Sequence, residues 1–391
     1  MKLIVPLLGL TLAGFGFISP GSSQKSNSIT VVISGGARGH LSPCGCTKPM
    51  SGGFKRLATI VRDLKAKGKV IWVDAGDIID VPGRQAQLKA ETYGELMGAL
   101  GVDVVAYTTQ DQKQGSGLLA AASALSGKSW LSFEDHPLTP TKKIDTVAGF
   151  TISTISEQAM ILDGERDSDI LLIDGPEKLV SQLTKNHQIL VVSSDGTPSI
   201  NGRTMSPGSH LRGVIIATFQ DGKFVTARTE LLNPTIKEDP KANKIYQNYL
   251  ARVTQERLID SVAKVNDDDF AGSKNCKSCH GKTYQQYSTT KHAHAYQTLE
   301  KEGHGADPDC VGCHVVGLNS TKGFFYQKTQ ALAQVGCESC HGPGRAHARN
   351  PMSVRLPKVT DQNCITCHTP SNSPGFVFKT YWEKIKHQEK R

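Results

Sequence analysis

The sequence predicts two unlike folds in one chain: an α/β domain, then a small, mostly α-helical and irregular domain. Three observations carry this. Between residues 28 and 235, short apolar runs of strand length alternate with stretches of helical period. Past Phe270 the composition turns to Cys, His, Gly and Lys, and eight of the ten cysteines lie between Cys276 and Cys367. Those eight form four copies of Cys-x-x-Cys-His. At 391 residues, 38% of them hydrophobic, the chain is long enough for two domains with a real core in at least one.

Lys2 precedes an apolar run from Leu3 to Phe17, and the polar Ser19-Pro20-Gly21-Ser22-Ser23 follows. Residues 1–23 read as a secretory signal, too short and too Gly-rich for a membrane span. An imperfect small-residue cleavage pattern leaves an uncleaved anchor as the alternative. The protein is therefore expected to be periplasmic or otherwise extracytoplasmic, with association at the membrane surface as an option.

Ile29 to Ser34 reads as a buried strand ending in Gly35-Gly36. From Phe54 to Lys67, Leu57, Ile60, Val61 and Leu64 share one helical face. A strand over Val70–Val73, a helix over Gln85–Leu100 and a strand over Val102–Tyr107 follow, with further strands over Ile170–Ile173 and Ile189–Ser193. Gly213 to Leu232 reads as a hairpin turning at Asp221-Gly222. Lys241 to Val262 is polar and helix-forming, and residues 236–269 are taken as the connector to a second domain over 270–391.

The four motifs are Cys276/Cys279/His280, Cys310/Cys313/His314, Cys337/Cys340/His341 and Cys364/Cys367/His368. In each, the two thiols can form thioethers to the vinyl groups of a haem while the adjacent imidazole reaches the iron. Zinc fingers do not need a His directly after every second Cys, and disulfide frameworks need none. The expectation is four covalent haems c, with His280, His314, His341 and His368 as proximal ligands. Spacings of 34, 27 and 27 residues between successive first cysteines argue against a solenoid repeat. His292, His294, His304, His347 and His387 are the candidates for the opposite face of each iron. Five candidates for four positions leave open which iron, if any, lacks a sixth ligand.

The net charge of +9 raises the question of nucleic acid. From Ala271 onward there are 16 Lys and Arg against 8 Asp and Glu. Four haems bring eight propionates, so this excess reads as propionate compensation. With no basic stripe interleaved with aromatics, no nucleic-acid partner is expected.

Several segments resemble the cytochrome c-554/c-552 family of tetrahaem cytochromes over residues 270–390. They are Ala271-Gly272-Ser273, Lys291-His292-Ala293-His294-Ala295, Asp307-Pro308-Asp309-Cys310, Val335 to Gly344 with His347, and Tyr381-Trp382 with Lys386-His387. The resemblance implies three bis-histidine haems, room for one five-coordinate haem, and stacked neighbours passing electrons. It implies His292, His347 and His387 as distal ligands, with His294 in reserve and no demand on His304. Tyr287 stands where that family often has Trp.

Gly52-Gly53-Phe54-Lys55-Arg56, Val73-Asp74-Ala75-Gly76-Asp77 and Gly101-Val102-Asp103-Val104-Val105 resemble the calcineurin-like metallophosphoesterases of the 5′-nucleotidase type over residues 28–235. The resemblance implies a metallophosphoesterase-like sandwich with a site for two metals that polarise phosphate. Where that family's first strand ends in D-x-H, this chain has Gly35-Gly36-Ala37-Arg38-Gly39-His40. Where it has G-N-H-E, this chain has Thr108-Thr109-Gln110-Asp111, and the late histidine motifs give way to Ser193-Ser194-Asp195-Gly196. Asp77 survives with His40 nearby, too few donors for a dinuclear site. Cys44 and Cys46, in Pro43-Cys44-Gly45-Cys46, form a disulfide or supply soft donors to a single metal with Asp77 or His40.

The chain is thus expected to be an exported multihaem cytochrome that carries electrons between redox partner proteins, with a non-catalytic domain for docking or binding. The first alternative is a multihaem oxidoreductase acting on a small nitrogen or sulfur compound at a five-coordinate haem. The second is an active metallophosphoesterase.

Overall fold

A computed structural model of the chain describes residues 27–43, 50–134, 142–162, 164–193, 195–370 and 372–387. The expected secretory segment, Ser194, Cys44 and Cys46 lie outside them. Strand β1 (Ser28–Ser34) alternates as its sequence demands. Ile29, Val31 and Ile33 point to one face and Val32 to the other, all buried. Helix α1 (Phe54–Lys65), β2 (Lys69–Asp74), α2 (Arg84–Leu100), β3 (Val104–Tyr107), α3 (Thr109–Lys113), α4 (Ser116–Ser126) and β4 (Leu131–Ser132) follow. The four strands pair in parallel.

A second sheet is built from β5 (Ile144–Val147), β6 (Phe150–Ser156), then α5 (Glu157–Leu162), β7 (Ile170–Asp174), β8 (Ile189–Val192), β9 (Ser199–Asn201) and β10 (Thr204–Ser206). Its order is β5-β6-β7-β8-β10-β9. The chain then returns to the first sheet through β11 (Gly213–Gln220) and β12 (Lys223–Leu231), giving the order β12-β11-β1-β2-β3-β4. This is the expected hairpin, and Asp221 and Gly222 both take positive φ, as a two-residue primed turn requires.

The sheets face each other across an apolar layer. Ile29, Val31, Ile33, Ile71 and Val73 of the first sheet meet Phe150, Ile152, Ile170, Leu172 and Val191 of the second. The opposite face of the first sheet, with Val32, Trp72, Val105 and Ile216, is covered by α1 and α2. Gly94 lets α2 approach α4 closely, since a Cβ there would sit 2.1 Å from the Ala122 carbonyl oxygen.

The expected connector contains helix α6 (Pro240–Gln255), and it is not free-standing. Its 3.6-residue period gathers Ala242, Tyr246, Tyr249, Leu250 and Val253 onto one buried face of the same core as α1 and α2. Polar composition concealed this face because two of its apolar contacts are tyrosines. Strands β4, β5, β6, β9 and β10 and helix α4 had no sequence expectation; most of these strands have four residues or fewer, and α4 is Ala- and Ser-rich.

The Cys-rich domain is made of short helices: α7 (Ser273–Cys276), α8 (Gly281–Ser288), α9 (Ala295–Lys301), α10 (Pro308–His314), α11 (Cys337–His341), α12 (Arg345–Arg349), α13 (Asp361–Ile365) and α14 (Phe378–Ile385). Its apolar cluster is small, centred on Phe270, Tyr296, Val311, Val316 and Phe324.

After β2 the chain turns through Asp77, held at φ 60°. The buried Asp111 carboxylate secures this turn, accepting from the amides of Asp77 (3.0 Å), Ile78 (2.7 Å), Ile79 (2.9 Å) and Thr108 (2.9 Å). Burial pushes the Asp111 carboxyl up to about 7, against the pull of these donors. Asp111→Asn presents one acceptor oxygen in place of two and is expected to cost about 2 kcal/mol or more. The check is the denaturation midpoint of the N-terminal domain, followed by its tryptophan fluorescence.

Candidate functional site

Three motif histidines each face a second imidazole at a distance too long for contact. The ring centroids of His280 and His347 are 6.3 Å apart, those of His368 and His292 are 6.3 Å apart, and those of His341 and His387 are 5.8 Å apart. Two metal–imidazole bonds of about 2 Å each, plus the inner half of each ring, come to about 6 Å. The donor sets therefore fit a haem iron between each pair. Burial lowers the pKa of His292, His341 and His368, which favours the neutral imidazole a metal needs.

Partners on the inner ring nitrogen fix the orientation of these rings. Nδ1 of His347 lies 2.7 Å from the Val354 carbonyl, Nδ1 of His368 3.1 Å from the Ser373 hydroxyl, and Nδ1 of His314 2.7 Å from the Ala295 carbonyl. Each leaves Nε2 directed outward, the arrangement by which a second hydrogen bond sets tautomer and aim. His387 lies just past α14, where Gln286 of α8 donates to the Lys386 carbonyl at 2.8 Å. Arg345, on α12 with His347, donates to the Phe270 carbonyl at 2.5 Å.

Glu338, inside the third motif, was not anticipated. Its buried carboxylate accepts from the amides of Ala271, Gly272 and Gly344, each at 2.7 Å. Ser273 adds a 3.1 Å bond from the Cys337 amide. These tie the approach to the first motif against the third and against the loop that leads into α12. The signal available in the sequence was an acid between two haem-attachment cysteines.

The attachment cysteines sit close across motifs. Cys276 hydrogen-bonds Cys337, which pulls the Cys337 thiol pKa down, and Cys313 does the same to Cys367. Cys340 lies near Cys364 and Cys367, and burial and these neighbours raise its thiol to about 11. First and third motifs therefore adjoin, as do third and fourth, and fourth and second.

One expected attachment residue differs from the others. Cys279, grouped with Cys276 for the first haem, is exposed, whereas the other seven attachment cysteines are half-buried. The motif spacing by itself says nothing about the exposure of either thiol. The physical reason is local. Cys279 lies in the turn beyond α7, where its amide donates to the Cys276 carbonyl at 3.3 Å, and its sulfur meets the Ser278 hydroxyl at 3.9 Å rather than a thiol of another motif.

The remaining histidines are engaged elsewhere. His294 places Nε2 3.0 Å from the Ser288 carbonyl. His304 places Nε2 3.3 Å from the Tyr246 hydroxyl and Nδ1 3.3 Å from Asp307. Among the described residues, His304, Asp307 and Cys310 are the one set of three or more metal-type donors close enough to converge. Cys310 is the first cysteine of the second Cys-x-x-Cys-His motif, so this set belongs to the surroundings of that motif.

In the N-terminal domain, Asp77 does not meet His40. Its carboxylate takes the Arg38 guanidinium, Nε to Oδ2 at 2.6 Å, and Arg38 reaches Asp195 at 2.5 Å. A guanidinium thus occupies the carboxylate left for a metal. Burial raises the pKa of Asp77 while Arg38 opposes the rise. His40 has turned toward His210, ring centroids 4.2 Å apart, a neighbour the sequence had not singled out. Burial and the nearby cations push the His210 imidazole down to about 4.

Residues 275–342 match the family described as cytochrome c554 and c-prime. Cytochrome c-554 of Nitrosomonas europaea is 40% identical over 95 residues, 20% of this chain and 40% of the relative. The chain thus spans well under half the length of the curated relative it matches. The 5′-nucleotidase precursor from Thermus thermophilus is similar in structure at 15% identity and a TM-score of 0.46, covering 63% of each chain. The NAD nucleotidase of Haemophilus influenzae is similar at 13% identity and a TM-score of 0.45, covering 64% of this chain and 65% of that one. No helix among the described residues is long and apolar enough to cross a membrane. The opposed imidazoles and the Cys-x-x-Cys-His motifs thus lie in and around a C-terminal segment that is similar to cytochrome c554.

Proposed function

We propose that the protein carries electrons through four covalently bound haems c outside the cytoplasmic membrane, exchanging them with redox partner proteins. The observation that carries this reading is the set of three opposed imidazole pairs at about 6 Å, each joining a motif histidine to a distant one. When bound, such haems supply one-electron iron chemistry, and two imidazoles keep the iron low-spin with little change on reduction. The chain's own part is to hold each attachment site and orient each ring. His347 serves the first motif, His387 the third and His292 the fourth. On this reading the relay runs first, third, fourth, second, supported by the packing of α7 and α13 against α11 and by the nearness of Cys313 to Cys367.

A second reading makes the haem attached through Cys310 and Cys313 a place for a small nitrogen or sulfur compound. It is favoured by the engagement of His294 and His304 with other partners. Carbon monoxide added to the ferrous protein separates the readings: perturbation of one haem supports the second, and an unchanged spectrum supports saturated irons throughout. The N-terminal domain serves docking or binding on this proposal. Its candidate single-metal set of Cys44, Cys46 and Asp77 loses Asp77 to Arg38.

Intact-mass measurement of protein from a haem-competent host is expected to show four haem additions that survive denaturation; fewer would reject the haem count. His292→Ala, His347→Ala and His387→Ala are each expected to turn one low-spin haem high-spin with all four haems retained. His294→Ala should leave the spectrum unchanged. Three wild-type spectra from the first set would reject the distal assignments. With manganese, zinc or cobalt supplied, hydrolysis of nucleotides should stay at background, and turnover abolished by Asp77→Ala would restore the phosphoesterase reading.

A further inference from the structure

The second motif is the one that the N-terminal domain grips by charge. Among the described residues, Lys89 of α2 and Asp309 of α10 form the ion pair that joins residues 28–255 to the Cys-rich domain. Asp309 directly precedes Cys310, and the Lys89 side chain is only 12% exposed against 51% for Asp309. The lysine amine lies close against Gly39, where even a Cβ would sit 3.3 Å from its Nζ. Beside it, Gln85 donates to Asp307 at 2.7 Å and to the Tyr249 hydroxyl at 3.1 Å. Asp307 is 5% exposed and caps the N-terminus of α10, accepting from the Asp309 amide at 3.1 Å. Tyr246 of α6 reaches His304, whose Nδ1 lies 3.6 Å from the Cys310 sulfur.

We propose that the N-terminal domain tunes the potential of the haem attached through Cys310 and Cys313, with Lys89 as a positioning and charge-setting residue that offsets Asp309. The proposal rests on the reading that this motif carries a covalent haem. Reduction adds one electron to the iron centre, so a nearby cation favours the reduced form and a nearby carboxylate the oxidised form. With both present the effects largely cancel. Removing one exposes the other beside Cys310, where the sheltered Lys89 side is screened less by water than the half-exposed Asp309 side. Gln85 and Tyr246 keep the pair in register by holding the start of α10 and the His304 loop.

The test is a spectroelectrochemical titration of the full-length holoprotein that resolves four midpoints. Lys89→Gln should lower one midpoint and Asp309→Asn should raise the same one. Each should change the ratio of reduced to oxidised haem by roughly threefold to tenfold, tenfold being about 59 mV for one electron. The double variant should return near the parent value, and Lys89→Arg should retain it. A loosened interface would move both single variants in the same direction, and that result would overturn the proposal. So would four unmoved midpoints, or a uniform shift of all four. If Lys89→Gln fails to accumulate, Asp309→Asn measured against Lys89→Arg still gives the sign. Intact mass of each variant reports haem load separately, so failure of the haem reading is distinguishable from failure of the tuning.

Discussion

The Cys-rich domain depends on one buried carboxylate. Glu338 lies within the third Cys-x-x-Cys-His motif, yet all three donors to it come from outside that motif's helix. Desolvating a carboxylate is costly unless its oxygens are filled, and three backbone amides at 2.7 Å fill them. Because those amides belong to Ala271, Gly272 and Gly344, satisfying Glu338 brings the first motif's approach, the third motif and the start of α12 together. The His280 and His347 rings, which sit on two of those segments, acquire their opposed geometry from this one junction. Gly344 is part of the arrangement, since a Cβ there would lie 2.9 Å from the Glu338 carboxylate.

Two kinds of core stabilise the two halves. In the N-terminal domain, strand alternation supplies a layer between two sheets and a second layer under α1, α2 and α6. In the Cys-rich domain the helices are short and few large apolar side chains are buried, and its histidines stand apart in pairs rather than packing together. On the proposed reading, porphyrins supply the apolar mass that the sequence lacks, and the excess of lysine and arginine balances their propionates.

The cleft at the ends of β1 and β2 is built around a buried carboxylate paired with a guanidinium. Asp77 keeps its carboxylate, its positive φ and the Asp111 cradle beneath it, but Arg38 supplies the compensating charge. A guanidinium satisfies a buried carboxylate through fixed, directional hydrogen bonds and offers no open coordination position. The conformation of the loop is held in this way by protein groups alone.

Much of the molecule was legible in the residues themselves. Cys-x-x-Cys-His repeated four times is the basis of the proposed attachment chemistry, because thioether formation and proximal ligation need only neighbours in sequence. Strand alternation and the Asp221-Gly222 turn determined the α/β framework for the same reason, being set by local sterics and period. Three findings were decided only by the tertiary structure: the pairing of His347, His292 and His387 with particular motifs, the capture of Asp77 by Arg38, and the packing of α6 into the N-terminal core. The unequal exposure of Cys276 and Cys279 belongs with them, since the motif's spacing is blind to what packs over each sulfur. Each joins groups far apart in the chain, or turns a face that composition does not mark, and no local spacing encodes such a contact. His304 shows the difference plainly: the family resemblance placed no demand on it, and only the fold sets Tyr246 and Asp307 beside it.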